Sequence, residues 1–591
     1  MKHSVRIGGA SGFWGDSSLG APQLVRHGAV DYLVFDYLAE LTMSIMAAQK
    51  MKNPEAGFAL DFVTVALKSV LREVVEKGIR VISNAGGVNP QACGRMIEQL
   101  ARELGVAVKV AIVEGDDVLP QIPALRAAGV SELQSAQPMP EKILSANAYF
   151  GALPIKAALD AGAQIVVTGR CVDSAVTLGA LMHAFDWGPD DLDCLAQGSL
   201  AGHILECGAQ ATGGLFTDWA TVPDWENIGY PVAECFADGR FISTKPAGTG
   251  GLVTTAVIAE QILYEIHDPA NYVLPDVICD FRQVTLKQVA TERVEVTGAR
   301  GRAPTSSYKV SATYADGFKC SAMLTIIGTD AAAKARRSGE ALLARTRAMF
   351  GTLGFSDYSG TNIELIGAES AYGPHSQALA AREVMLRLTV RHPQKAALEL
   401  FAREIAAPGT SFAPGTTGSG GRPDVAPSIK QFAFLIDKSR LDAAVVADGV
   451  RSAVRVPSGA PATPAAPRNA VAAPAAPAGE TEVALFAIAH GRSGDKGDIS
   501  NIGIVARSNA AWDFLRAWLT PERVAEYMAF AVKGRVTRHE LPGILALNFV
   551  CEQALGGGGM ASMRNDPLGK GMAQILLSMP VMVPRALLAT A

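Results

Sequence analysis

Three side chains that could do chemistry occur within one short segment of the chain. His203, Glu206 and Cys207 bring an imidazole, a carboxylate and a thiol into the glycine-bounded stretch 202–214. Residues three apart share a face of a helical turn, so His203 and Glu206 are expected to act as a general acid/base pair. The same spacing also suits a capping carboxylate beside a histidine at the edge of a core. Cys207 is a candidate nucleophile, or a small buried hydrophobe like most free cysteines.

A second glycine-rich stretch precedes a helix-like run over residues 253–266. Exposed backbone N–H groups at a helix N-terminus favour phosphate or carboxylate, so an anion site is predicted there. It lacks the Gly-Lys-Ser/Thr ending of a Walker A loop, and its glycines have tight helix packing as an alternative role. The predicted anion-binding residues are Lys245, Gly248, Thr249, Gly250 and Gly251.

Apolar strand patterns and amphipathic helix patterns alternate through the first 275 residues, which predicts a Rossmann-like α/β region with a parallel sheet. Ligands of such sheets bind beyond the carboxyl ends of the strands. Candidate residues at those ends are Asp36 and Glu40 for catalysis, and Asp16, Asn84, Arg170 and Asp173 for substrate or anion binding. Two alternatives stay open: a solvated helix beginning at Asp36 and Glu40, and an internal ion pair between Arg170 and Asp173.

The loop 8–16 carries spaced glycines after the predicted strand 5–7, as a dinucleotide-binding loop does. Asp36 lies at about the distance expected for the acidic residue of such a unit. The bulky pair Phe13 and Trp14 disfavours close approach of a pyrophosphate, so a substrate-facing loop is the preferred interpretation.

The chain has 591 residues, too many for one hydrophobic core. We predict an α/β domain over 1–275, an α+β domain with an antiparallel meander over 276–456, a Pro/Ala linker over 457–479 and a ferredoxin-like α+β domain over 480–591. In the last of these, a loop over 491–498 is expected between two strands. Its Arg492 and Lys496 are candidate substrate-binding residues, either as a lid over a neighbouring subunit's site or as a simple charged hairpin.

Composition excludes several classes of protein. The net charge is −4 and no basic stripe is present, which argues against a nucleic-acid partner. Eight scattered cysteines without a CxxC pair predict neither a disulfide framework nor a zinc ribbon, and nine histidines without a dense carboxylate cluster predict no metal site. The sequence has no apolar run of membrane-spanning length and no signal-peptide pattern, so a cytoplasmic location is expected.

Six separated motifs occur in the order found in the acyclic terpene utilisation protein A (AtuA) family, which the chain resembles over roughly residues 4–450. The motifs lie at 12–16, 35–40, 84–87, 169–173, 206–207 and 248–251. The tail, with 492–497 and the four-glycine loop 556–559, looks like the ferredoxin-fold domain that is often appended to that family.

The resemblance implies a role in catabolism of citronellol- and geraniol-type compounds as CoA thioesters, alongside biotin-dependent acyl-CoA carboxylases. We therefore expect a homo-oligomeric hydratase or lyase that transfers a proton on a branched acyl-CoA. CoA is then part of the substrate, and no further cofactor is firmly implied. The first alternative is a non-catalytic partner subunit of an acyl-CoA carboxylase, with the tail as docking module, and the second is an NAD(P) oxidoreductase.

Overall fold

A computed structural model describes residues 3–418, 420–461, 465 and 478–588. Strands and helices alternate up to residue 263, as the apolar patterning predicts. They are β1 (Ser4–Gly9), α1 (Gly20–His27), β2 (Tyr32–Phe35), α2 (Glu40–Lys52), α3 (Lys68–Glu76), β3 (Arg80–Ser83), α4 (Pro90–Leu104), β4 (Val110–Glu114), α5 (Ile122–Ala127), β5 (Ser145–Ala148), α6 (Leu153–Asp160), β6 (Ile165–Thr168), α7 (Ala175–Phe185), α8 (Leu192–Leu205), β7 (Val232–Phe236), β8 (Phe241–Thr244) and α9 (Thr255–Leu263).

The next stretch is richer in antiparallel strands. Its elements are β9 (Tyr272–Val273), β10 (Ile278–Asp280), β11 (Thr285–Ala290), β12 (Arg293–Thr297), β13 (Arg300–Arg302), β14 (Ser307–Ile327), α10 (Ala331–Leu353), β15 (Gly360–Ile366), β16 (Glu383–His392), α11 (Lys395–Glu404), α12 (Pro408–Ser411), β17 (Thr416–Gly418), β18 (Val425–Asp437), β19 (Ala444–Ala447) and β20 (Val450–Ala453).

The tail contains β21 (Thr481–Ala484), β22 (Ala489–Lys496), β23 (Ile499–Ala506), α13 (Asn509–Trp518), α14 (Pro521–Tyr527), β24 (Val536–Leu541), β25 (Ala546–Cys551), α15 (Met572–Leu577), β26 (Pro580–Val583) and α16 (Arg585–Leu588). Strands β22, β23, β25 and β24 form one antiparallel sheet in that order. The predicted loop over 491–498 is wrong for most of its length: residues 491–496 lie in β22 and pair with β23, and only Gly497 and Asp498 form a turn.

The largest sheet has eleven strands in the order β11-β12-β8-β7-β1-β2-β3-β6-β4-β19-β20. Its centre, β1-β2-β3-β6-β4, is parallel, and antiparallel strands extend it on both sides. Every residue of β2 and β6 is buried, as expected for strands covered on both faces. The prediction of a mixed α/β fold containing a parallel sheet is therefore confirmed.

A second sheet is built around β14, which is 21 residues long. The alternation pattern predicts two separate strands, 308–314 and 320–326, in this region. A shift of register against β18 between Ala315 and Phe318 replaces the expected turn, and the strand continues through it. This sheet also contains β5, from the first 275 residues, whereas β11, β12, β19 and β20 belong to the largest sheet. Both sheets thus contain strands from before and after residue 275. The division into two domains at that residue stays a prediction.

Most of the predicted linker 457–479 lies outside the described residues. At its near end the backbone N–H of Ala460 donates to the carbonyl of Pro304 at 3.0 Å. Beyond it, Glu480 donates to Val583 at 2.9 Å, next to the β21–β26 pair. Within the described parts of the chain, no helix is both long enough and apolar enough to cross a bilayer.

Candidate functional site

A group of charged side chains gathers beyond the carboxyl ends of the parallel strands. Asp36 follows β2, Asn84 follows β3, and Arg170 and Asp173 follow β6. Mutual electrostatic effects link them to the end of α8, to the second sheet and to the tail. The group consists of Asp36, Glu40, Asn84, Tyr149, Arg170, Asp173, His203, Glu206, Cys207, Glu265, Tyr272, Lys309, Asp495, Lys496 and Lys570.

His203 and Glu206 form a hydrogen-bonded pair at the end of the buried helix α8. His203 Nδ1 lies 3.0 Å from Glu206 Oε1, which confirms that the two residues share a face. His203 Nε2 lies 3.1 Å from the carbonyl oxygen of Gln261 and 3.3 Å from that of Ile262. A carbonyl only accepts, so the network assigns a proton to Nε2. One further proton then lies between Nδ1 and Oε1 and belongs to the pair as a whole.

Burial sets the electrostatics of this pair. It raises the pKa of Glu206, and the neighbouring His203 opposes that shift. Burial by itself would lower the pKa of His203, but the Glu206 carboxylate outweighs it and the pKa is raised. The second carboxyl oxygen, Glu206 Oε2, is buried and has no hydrogen-bond partner among the described residues. Glu206 therefore has one oxygen bound to His203 and one buried oxygen without a hydrogen-bond partner among the described residues.

Asp36 is a second buried carboxyl group in this site. Asn84 Nδ2 donates to Asp36 Oδ1 at 2.5 Å, and the backbone N–H of Tyr37 donates to Asn84 Oδ1 at 2.8 Å. Burial, with repulsion from Asp173, raises the pKa of Asp36 well above its ordinary value. The protein thus disfavours the ionised form of Asp36, and Asn84 fixes the orientation of its carboxyl group.

Arg170 lies between the carboxyl groups of this site. Its Nη1 donates to the carbonyl of Leu38 at 2.8 Å and to Asp173 Oδ1 at 3.1 Å, so the ion pair weighed as an alternative is formed. The guanidinium also stacks 4.2 Å from the centre of the Tyr149 ring. Its Nε is buried without a hydrogen-bond partner among the described residues.

Glu40, at the start of α2, interacts with a tyrosine and with two cations of the site. The Tyr149 hydroxyl donates to Glu40 Oε1 at 2.6 Å. Burial opposes ionisation, yet Arg170 and Lys309 together lower the pKa of Glu40 to about 2. The ionised form of Glu40 is thus favoured and balances two cations, and a catalytic role for Glu40 stays a prediction.

The tail supplies charged groups to the same site of its own chain. Lys496 Nζ lies 3.3 Å from Glu265 Oε2, and Lys570 Nζ lies 3.0 Å from Glu265 Oε1. Arg492, by contrast, is used inside the protein: it forms a buried ion pair with Glu260 at 3.2 Å and donates to Gln210 Oε1 at 2.9 Å. Lys496 keeps its predicted place at the site, whereas Arg492 joins the tail to α9.

Cys207 is the predicted nucleophile and Asp16 a predicted substrate-binding residue, and both roles stay predictions. Burial, with the nearby carboxylates of Glu206 and Glu265, raises the pKa of Cys207 well above its ordinary value, so its thiol stays protonated and is a poor nucleophile. Asp16 accepts from the backbone N–H of Gly12 at 2.8 Å and from the Tyr230 hydroxyl at 3.0 Å. Asp16 therefore holds its own loop in place.

The glycines of loop 8–16 allow the segment after α8 to pack closely. A Cβ atom on Gly9 would lie 2.7 Å from the carbonyl oxygen of Leu205, and one on Gly12 would lie 2.7 Å from the carbonyl carbon of Cys207. Backbone of the chain itself thus occupies the space beside these glycines. The spacing that resembled a dinucleotide loop is explained by this contact.

The predicted anion site around Lys245 is built differently from the expectation. Several of its backbone N–H groups have acceptors within the protein: Gly250 donates to Asn227 at 2.9 Å, Gly251 to Pro223 at 2.8 Å and Val253 to the Glu292 carboxylate at 2.8 Å. Lys245 Nζ donates to the carbonyl of Thr249 at 2.8 Å. This loop is not part of the charged group. Gly250 and Gly251 pack closely against backbone, the alternative that the sequence left open, whereas a Cβ atom on Gly248 would stand in open space. An anion-binding role for the loop stays a prediction.

Comparison with protein families agrees with the motifs. The family model described as acyclic terpene utilisation family protein AtuA matches residues 5–447, which is more than half of the chain. The chain belongs to the AtuA family. The AtuA ferredoxin-like domain matches residues 483–582, so the expected tail domain is confirmed as well. Neither the curated proteins nor the solved structures gave a match.

Several site residues of this AtuA-family chain are not apparent from its sequence. Lys309 and Tyr149 lie on or beside strands whose alternation gives no sign of an inward-facing charge. Glu265 ends a helix pattern, where a carboxylate is ordinary, and Lys570 lies in the last loop before α15. Only strand pairing and tail docking bring these groups to Glu206, and neither leaves a local signal.

Proposed function

We propose that this AtuA-family protein is an enzyme of acyclic terpene breakdown that transfers a proton on a branched acyl-CoA, as a hydratase or lyase. The observation that carries the proposal is the state of Glu206. One carboxyl oxygen shares a proton with His203, and the other is buried without a partner among the described residues. An unpaired buried carboxyl oxygen costs stability unless a ligand completes it, which favours a catalytic role.

The chemistry can be written for dehydration of a 3-hydroxyacyl thioester. Glu206 Oε2 accepts the proton from the carbon next to the thioester carbonyl, and the electron pair moves into the enolate. The enolate then expels the hydroxyl group, which leaves as water with a proton from Asp36. Hydration is the reverse, and in a lyase reaction the same carboxylate takes the proton of a tertiary hydroxyl while a carbon–carbon bond breaks.

Cations stabilise the negative charge that develops on the thioester oxygen. Arg170 and Lys496 both act electrostatically on the acidic groups of the site, and both are held by protein partners rather than by bulk water. Pre-oriented charges of this kind favour the transition state over the ground state. The site residues lie beyond the carboxyl ends of the parallel strands, which supports the interpretation of this part of the fold as Rossmann-like.

The test measures proton transfer directly. The full-length protein is incubated in D₂O with a panel of branched 3-hydroxyacyl-CoA and enoyl-CoA thioesters, and deuterium incorporation is followed by mass spectrometry. Glu206→Gln should lower the rate by about 10²–10⁴-fold, the usual worth of a general acid or base, with little change in ligand affinity. Glu234→Gln is the matched control, because Glu234 pairs with Arg6 and Arg293 away from the site.

Equal rates for wild type and Glu206→Gln would overturn the assignment. Absence of turnover together with co-elution with an acyl-CoA carboxylase would favour the partner-subunit alternative, and nicotinamide binding would favour an oxidoreductase. A cytoplasmic location and assembly as a homo-oligomer belong to the same proposal. Cell fractionation and light scattering test those two points.

A further inference from the structure

Two buried asparagines of the tail hold the segment that follows α9. Asn501, on β23, accepts a hydrogen bond from the backbone N–H of Glu265 at 3.0 Å and donates to the carbonyl of Leu263 at 2.6 Å. Asn548, on β25, donates to the carbonyls of Ile266 and His267, each at 2.7 Å. The two amides therefore bind four backbone groups within the short segment 263–267.

The asparagines also bind each other and are enclosed. Asn501 Nδ2 donates to Asn548 Oδ1 at 3.0 Å, and the two residues are 1% and 0% exposed. Glycines permit this close contact, because a Cβ atom on Gly503 would lie 2.6 Å from Leu263 and one on Gly494 would lie 2.5 Å from Glu265. Buried amides are costly unless their hydrogen bonds are satisfied, so the interaction is specific to this backbone segment.

Within the segment 263–267 that the two asparagines bind, Glu265 has an unusual backbone conformation. Its φ angle is +57°, in the left-handed region that residues other than glycine seldom adopt. Such conformations persist where the surroundings enforce them, and they concentrate at functional sites. The Glu265 carboxylate lies between two tail lysines, 3.3 Å from Lys496 Nζ and 3.0 Å from Lys570 Nζ.

We propose that Asn501 and Asn548 are positioning residues: they fix Glu265, and Glu265 holds the Lys496 ammonium at the site of Glu206. The ferredoxin-like domain is then an integral part of the active site of its own chain. The role of Lys496 in turnover rests on the proposed function, whereas the chain of contacts does not depend on it.

The charges around Lys496 make the proposal measurable without a substrate. Burial would lower the pKa of Lys496, but Glu265 and then Tyr272, Asp173 and Glu206 outweigh it and raise the pKa well above its ordinary value. If Glu265 loses its charge or its position, the amine should become deprotonated at a lower pH. An opposite charge within about 4–6 Å is worth roughly one to three pKa units.

The experiment is competitive acetylation of the full-length protein with acetic anhydride across pH 8 to 12, with each lysine quantified by peptide mass spectrometry. The exposed Lys395 serves as internal reference. In Glu265→Gln and in Asn501→Ala, Lys496 should be labelled at least about tenfold faster at pH 10 than in wild type, which corresponds to one pKa unit. In both variants kcat should fall more than KM rises, because binding groups other than Lys496 remain.

Matched controls keep the test specific. Glu369→Gln changes a glutamate that also has a positive φ, +54°, and lies outside the charged group. Asn509→Ala changes an exposed asparagine of the tail at the start of α13. Neither control should alter labelling of Lys496.

Unchanged labelling of Lys496 in Glu265→Gln would overturn the proposal, whatever reaction the enzyme performs. If Asn501→Ala fails to fold, Glu265→Gln decides the matter, because that variant leaves both asparagines in place. Accelerated labelling in an enzyme that turns over no acyl-CoA would uphold the positioning role and count only against the proposed function.

Discussion

The imidazole of His203 is fixed at both of its nitrogens, with Nδ1 3.0 Å from Glu206 Oε1 and Nε2 against two backbone carbonyls. The ring therefore has no nitrogen left for a ligand. A proton that this pair exchanges with a substrate must pass through Glu206, and His203 acts by setting the proton affinity of that carboxyl group. The two residues therefore act as one unit, and Glu206 is the member that can exchange a proton with a ligand.

The first prediction concerns the pH dependence of turnover. Burial raises the pKa of Glu206 and His203 opposes this shift, so removing the imidazole should raise that pKa further. Because the base must be deprotonated, the low-pH limb of the kcat profile should move to higher pH in His203→Gln, by about one unit or more. Turnover at the optimum should also fall. His375→Gln, which changes a histidine bound to Tyr527 in the tail, is the control. A low-pH limb at the wild-type position in His203→Gln would contradict the coupling.

Sequence reasoning found this pair because the relevant geometry is local. Residues three apart at the end of a helix must share a face, whatever the rest of the chain does. Local reasoning does not reveal that the N–H groups of Gly250 and Gly251 donate to Asn227 and Pro223. Glycines before a helix identify donors, but only the tertiary structure determines which acceptors they reach.

The second prediction concerns the close packing of Gly250. A Cβ atom on Gly250 would lie 2.1 Å from the carbonyl oxygen of Asp224, which cannot move without disturbing the loop. Gly250→Ala should therefore lower the free energy of unfolding by about 1–3 kcal/mol, the usual cost of overpacking, and leave ligand affinity of the folded protein unchanged. The measurement is thermal unfolding with a binding assay.

Gly351→Ala is its matched control. Gly351 lies within α10 and has open space where a Cβ atom would stand. Alanine there should stabilise the protein by about 0.5–1 kcal/mol through its helix propensity. If Gly250→Ala is as stable as wild type but binds ligand poorly, the anion-site interpretation of that loop would be supported instead.

For the fold as well, features set by neighbouring residues are predictable from the sequence, whereas contacts between distant segments are not. Asn89 and Pro90 predict the start of α4, and Asn89 Oδ1 does accept from the backbone N–H of Ala92 at 3.4 Å. By contrast, nothing near residue 445 shows that β19 pairs with β4, more than 300 residues earlier. The sequence places Arg492 in a loop, whereas in the structure it lies on β22. Its ion-pair partner, Glu260, lies on the distant helix α9. Pairings between distant segments leave no periodic signal in either segment.

The third prediction concerns Asp116, which supports the Arg170 segment. Its Oδ2 accepts from the backbone N–H of Arg170 and from Asn147 Nδ2, each at 2.9 Å. Burial raises the pKa of Asp116 from 3.8 to about 6, although these hydrogen bonds oppose the shift. The folded state thus binds a proton that the unfolded state has released, and stability from this group is lost as the pH rises from about 4 to about 6.

Asp116→Asn resembles the protonated acid and should not show that loss. Relative to wild type, its free energy of unfolding should increase between pH 4 and pH 7 by about 3 kcal/mol, at 1.36 kcal/mol per pKa unit. Denaturant unfolding at several pH values measures this difference. Asp117→Asn, at the adjacent exposed carboxylate, should follow the wild-type pH curve. Parallel pH curves for wild type and Asp116→Asn would contradict the raised pKa.

The last prediction tests how the tail is attached. The Pro/Ala composition of 457–479 predicts that limited proteolysis cuts there first. The tail should nevertheless stay bound after the cut. Arg507 donates two hydrogen bonds, of 2.6 and 2.7 Å, to the Asp218 carboxylate, and Arg492 forms a buried ion pair with Glu260.

Removing one partner of a buried ion pair leaves the other charge uncompensated, at a cost of about 3–5 kcal/mol. The nicked wild-type protein should therefore elute as one species in size-exclusion chromatography, and nicked Glu260→Gln should separate into two fragments. Uncut Glu260→Gln should still elute as a single species, because the linker keeps the tail at high local concentration. Separation of the nicked wild-type fragments, or early cleavage within 202–214, would show that the tail is not held by these contacts.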